Sequence, residues 1–102
     1  MKYSHLLGQT VYYPNPMNRE QIFRCTVWLL VPVGQRICDV WPRNVAYRGL
    51  NYRAKMVLDK TFHNPHYVLR HERLDESGAP KTPRYFVLQE CRLETWVLGV
   101  TS

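Results

Sequence analysis

A chain of 102 residues, 45% hydrophobic and 13% aromatic, is long enough for one domain with its own core and too apolar to stay disordered. Its longest apolar run, Val27 to Val31, is far shorter than a membrane-spanning helix requires. Fourteen Lys and Arg against eight Asp and Glu leave a formal charge of +6, which favours anionic partners.

The first predicted element is a strand over Gln9 to Tyr13, rich in Thr, Val and Tyr. Pro14-Asn15-Pro16-Met17-Asn18 is expected to break it, because two prolines in three residues remove ladder donors. From Gln21 the pattern has period two. Phe23, Cys25, Val27, Leu29 and Val31 fall on one apolar face, and Ile22, Arg24, Thr26, Trp28 and Leu30 on a mixed one. Pro32-Val33-Gly34-Gln35 reads as a turn, and Arg36 to Trp41 as the returning strand of a hairpin.

Arg43 to Phe62 is ambiguous between helix and strand. Ala46, Leu50, Ala54 and Val57 fit a helical stripe, but Gly49 interrupts it. The expectation is a loop with a helical turn, followed by an extended segment. His66 to Arg73 and Arg84 to Arg92 are further strands, joined by a long, mobile polar loop over residues 75–83. Thr95 to Val100 makes a last short strand. The predicted core is Phe23, Val27, Leu29, Ile37 or Val40, Leu69, Val87 and Leu88.

Five to six short antiparallel strands and at most one short helix predict an all-β or β-rich α+β fold. The expected form is a single compact domain, closed as a small, partly open barrel. Gly8-x-x-Val11, a proline-bearing loop, Cys25-x-Val27 and a tight hairpin resemble the opening of SH3-like and Tudor-like barrels. The resemblance spans about the first 41 residues and implies a fold, without a binding site.

Cys25, Cys38 and Cys91 form no close pairs, which predicts free thiols and a reducing, cytoplasmic setting, that of the host cell if the chain is virus-encoded. Cys25, Cys38, His63 and His66 are a zinc-compatible set by type, but their spacing lacks the paired knuckles of structural zinc sites, so no metal or other cofactor is expected. Of three serines, Ser4 and Ser102 are terminal and Ser77 sits in a predicted loop, a poor basis for a nucleophilic triad. Glu72, Asp75 and Glu76 cluster beside Arg73, the setting of a solvated ion pair, and the glycines form no phosphate loop. The chain reads as a non-enzyme.

Ten of the fourteen cations are Arg, whose planar fork grips phosphate or carboxylate and stacks on rings. They mix with aromatics in Arg43-Asn44-Val45-Ala46-Tyr47 and Arg48-Gly49-Leu50-Asn51-Tyr52, followed by Arg53 and Lys55. Arg43, Tyr47, Arg48, Tyr52, Arg53 and Lys55 are therefore the candidate binding residues, with Arg70, Arg73, Arg84 and Arg92 as a second patch. Cations beside stacking rings suit single-stranded nucleic acid or a nucleoprotein. Tyr and Arg also dominate protein–protein hot spots. The competing reading is an inhibitor or adaptor that occludes a larger protein, similar in character to phage-encoded host-takeover and anti-defence proteins. A structural subunit of a viral particle is a further alternative.

Overall fold

The computed structural model describes residues 6–15 and 18–89. The strands are β1 (Thr10–Asn15), β2 (Asn18–Val31), β3 (His66–Leu74) and β4 (Pro80–Gln89). Two short helices, α1 (Ile37–Val40) and α2 (Tyr52–Met56), lie between β2 and β3. The strands pair antiparallel in the order β1-β2-β3-β4, one open sheet in which chain neighbours are spatial neighbours. The expected barrel of five to six strands is not formed among the described residues. The predicted strand at Thr95 to Val100 lies outside them.

The sheet is nevertheless curled. Tyr13 of β1 and Phe86 of β4 come within 4.8 Å ring to ring, and Phe23 of β2 stacks on Phe86 at 5.4 Å. The concave side holds one buried cluster: Leu6, Val11, Phe23, Cys25, Val27, Tyr67, Leu69, Phe86 and Leu88. The convex side is covered by the chain between β2 and β3, around Val31, Ile37, Trp41, Leu50, Ala54, Val68 and Tyr85. Each fully buried Val, Leu or Phe contributes roughly 1.5–3 kcal/mol. Two apolar faces explain why Tyr67, Val68 and Leu69 of β3 are buried in succession.

Phe23, Cys25 and Val27 all face the concave cluster, as the alternation predicts. Leu29 and Val31 do not share that face. The β2–β3 register shifts between Val27 and Leu29, where β2 carries one extra residue. Such a bulge inverts the parity of the residues after it. Leu30 therefore packs on the concave cluster, while Trp28, Leu29 and Val31 turn to the convex one. Leu29, Val40 and Val87 are half-buried, and Phe23, Val27, Ile37, Leu69 and Leu88 are buried.

Arg36 to Trp41 is not a returning strand. Asp39 accepts from the Arg36 backbone amide at 2.9 Å and takes the Arg36 guanidinium on both oxygens, at 3.0 and 2.8 Å. That contact closes the first turn of α1 and holds the Asp39 carboxyl below its ordinary range. The partners of β2 are β1 and β3 instead.

Nor does Pro14 break β1. It pairs in register with Ile22, on an outer strand of the sheet where a missing donor is tolerated. The β3–β4 connection is shorter than predicted, because residues 80–83 belong to β4. Asp75 Oδ1 organises the turn, accepting from Ser77 N, Ser77 Oγ and Ala79 N at 2.7–2.9 Å. Among the described residues no helix is long and apolar enough to cross a membrane.

Candidate functional site

The segment Arg43–Tyr52 emerges from the convex cluster through Trp41, whose indole N–H donates to the Val45 carbonyl at 2.8 Å. Trp41 is core rather than surface, packed edge-on against Trp28 and Tyr85 at 4.9 and 4.8 Å. Tyr47 lies against Trp41 at 5.2 Å with its outer part in solvent. Arg43, Arg48, Tyr52, Arg53 and Lys55 are all exposed, Tyr52 most of all at 79%. Asn51 caps α2 by accepting from Ala54 N at 2.8 Å, which fixes where Tyr52, Arg53 and Lys55 leave the surface.

Gly49–Asn51 docks along the outer side of β4. Tyr85 N donates to the Gly49 carbonyl at 2.9 Å, and Asn51 N donates to the Tyr85 carbonyl at 3.2 Å. Leu50 and Tyr85 form a parallel bridge there. Gly49 has φ of +87°, a conformation that side chains resist. β4 carries an irregularity at this level, between the positions opposite His71 and Arg73, and Pro83, which has no N–H to lose, sits in it.

This docking brings the two basic segments together. Lys55 of α2, Arg73 of β3 and Arg84 of β4 line one cleft of about 330 Å³, with Gly49, Leu50, Asn51 and Phe86 as its remaining walls. Arg73 is held in place because its Nε donates to the Thr82 carbonyl at 2.9 Å. No carboxylate is among the described residues that line the cleft. The ion pairs among the described residues are Arg36–Asp39 and Arg70–Glu72, and neither involves Lys55, Arg73 or Arg84.

The second predicted patch is divided. Arg73 and Arg84 join Lys55, whereas Arg70 lies on the convex face with its guanidinium 5.6 Å from the Trp28 ring centre. Its Nε is 2.8 Å from Glu72 Oε1, an ion pair rather than an aligned hydrogen bond. Arg70 is thus already partnered. Arg92 and Cys91 lie outside the described residues. Of the first predicted patch only Lys55 lines the cleft; Arg43, Tyr47, Arg48, Tyr52 and Arg53 do not.

Sequence reasoning missed the walls contributed by Gly49–Asn51 and Phe86. The one local signal was Gly49 itself, placed inside the second basic-aromatic repeat where a helix would not want it. Cys25, Cys38, His63 and His66 are not brought together, and no group of three or more metal-ligating side chains exists among the described residues. Burial pushes the Cys25 thiol up to about 12, which leaves it protonated and inert. No protein-family model, curated protein or solved structure matches this chain.

Proposed function

We propose that this protein is a non-enzymatic binding module that takes an anionic partner, single-stranded nucleic acid or a nucleoprotein, on the surface around the Lys55–Arg73–Arg84 cleft. The carrying observation is the docking of Gly49–Asn51 on β4, which sets cations from α2, β3 and β4 around one space with no carboxylate among the described residues that line it. Arg48, Tyr52 and Arg53 flank that docked segment and are exposed. Arg forks supply phosphate contacts, and the exposed Tyr52 ring supplies a face for an unpaired base. A cleft of about 330 Å³ is on the scale of one nucleotide, which supports the single-strand reading.

The test is fluorescence anisotropy with single-stranded and duplex oligonucleotides over a salt series. Single strands should bind more tightly, with affinity falling steeply as salt rises. Replacing Arg48 and Arg53 with Ala should leave melting nearly unchanged, weaken binding and flatten the salt slope. Binding that ignores both salt and this double substitution would end the proposal.

A second reading is occlusion of a larger protein, and one observation favours it. Tyr12 and Ile22 are exposed on the convex side of the β1–β2 hairpin, with Arg24 paired opposite Tyr12. Exposed Tyr and Arg beside an aliphatic side chain suit a protein hot spot. Ile22→Lys should abolish such docking, seen mainly as faster dissociation, while leaving oligonucleotide binding intact.

A further inference from the structure

The cleft has a composition more specific than a general basic surface. Its three cations come from three different elements, Lys55, Arg73 and Arg84, and the buried residues Leu50 and Phe86 are among those that line it. The Arg73 stem is fixed by its bond to the Thr82 carbonyl, which leaves its terminal nitrogens for a ligand at reduced entropic cost. At about 330 Å³ the space is at the small end of ligand sites, a size that suits one terminal group of a chain.

The charge count distinguishes the two kinds of phosphate. An internal phosphodiester carries one negative charge and two unesterified oxygens. A phosphate monoester carries about 1.5 to 2 negative charges and three free oxygens. Three cationic side chains from three elements exceed what one phosphodiester charge needs, and they suit the higher charge and third free oxygen of a monoester.

We infer that this cleft is a subsite for the phosphate monoester at the end of a nucleic-acid strand. The inference rests on the nucleic-acid reading above. A free nucleoside monophosphate offers the same chemistry, so the experiment must separate the two sources.

Labelled oligothymidylates of about ten nucleotides, within the usual footprint of single-strand binders, are compared with and without a terminal phosphate at the unlabelled end. The phosphorylated strand should bind more tightly by on the order of tenfold, the worth of one charge-assisted contact. In Arg84→Gln and, separately, Lys55→Gln, the ratio of the two affinities should collapse toward one. Circular dichroism melting confirms that each variant is folded. At about pH 5 the monoester dianion takes up one proton and becomes a monoanion, and the wild-type ratio should shrink. No His, Asp or Glu is among the described residues lining the cleft to mimic that change.

Equal binding of both strands by the wild-type protein overturns the subsite and leaves the nucleic-acid proposal standing. If neither strand binds but thymidine monophosphate shifts the Arg73 and Arg84 side-chain NMR signals, the monoester site stands and its source is a free nucleotide. Response to neither strand nor nucleotide overturns both. Binding restricted to a phosphoserine peptide overturns the strand-end assignment in favour of a protein partner.

Discussion

Gly49 lies so close to the carbonyl oxygen of Pro83 that a β-carbon at position 49 would overlap it. The docked segment can follow β4 only because position 49 has no side chain. Gly34 and Gly78 share the same positive φ, but a β-carbon at either position would have no neighbouring atom within 4 Å.

These three glycines therefore form a graded experiment. Gly34→Ala and Gly78→Ala should each cost about 1 kcal/mol, the conformational penalty alone. Gly49→Ala should cost clearly more, because the loop must leave Pro83 and surrender two backbone hydrogen bonds. Urea denaturation measures all three. Gly49→Ala should also lose oligonucleotide affinity, whereas Gly78→Ala should not. Equal costs at the three positions would contradict the close approach.

The two sides of β2 make a second contrast. Val27 is fully buried, and Val27→Asp places an unpaired charge in the concave cluster at a cost of about 4 kcal/mol or more. No cooperative melting transition should remain. Ile22 is 60% exposed, and Ile22→Asp should melt close to the wild-type temperature.

How much of this arrangement is legible in the sequence varies with the range of the interactions. The inward face of β2 up to Val27 is readable because alternation is local. The switch at Trp28 is not, since a bulge is defined by its partner strand and leaves no mark of its own. α1 reads as a strand because Ile37 and Trp41 satisfy both a period of two and an i, i+4 spacing; the Arg36–Asp39 fork decides for the helix. The exposure of Arg43, Arg48 and Arg53 follows from the scarcity of nearby acids. That Lys55 would meet Arg73 and Arg84 is not legible, because nothing local specifies which strand edge Gly49–Asn51 will find.

Cys25 should make the protein alkali-sensitive. Burial holds its thiol neutral up to about 12 in the folded state, while an unfolded thiol ionises from about 8.5. Above that lower value the unfolded state binds fewer protons, so stability falls as pH rises, and no such loss operates below it. Urea midpoints between pH 8 and 10.5 (about the onset of thiol ionisation and two units above it) should show a shallower decline for Cys25→Ala than for wild type. Alkylation followed by peptide mapping should label Cys38 in the native protein and Cys25 only after unfolding.

His66 acts on the acid side. Its ring stacks on Phe62 at 3.8 Å, and burial lowers its pKa, partly offset by donation from Nδ1–H to the Asn64 carbonyl at 2.8 Å. An unfolded histidine takes up its proton near 6.5, so below that value the unfolded state binds more protons and stability drops as pH falls. His66→Phe keeps the stacked ring and removes the titration. Its urea midpoint should change less than wild type between about pH 7.5 and 5.5, a window centred on that value.

The chain from Pro32 to Pro65 covers the convex face and supplies one wall of the cleft, while β3 and β4 supply the other. The β1–β2 and β3–β4 pairings join segments near in sequence, but β2 meets β3 only after this long excursion closes on itself. Closure of that kind costs entropy before its contacts repay it. The expected order of assembly has both hairpins preceding the pairing of β2 with β3 and the Gly49–Asn51 dock on Tyr85 coming last. The same order, run backwards, governs local opening. Under native conditions the amides of Asn51 and Tyr85 should exchange with solvent sooner than those of Val27 and Leu69, so the cleft comes apart while the sheet beneath it persists.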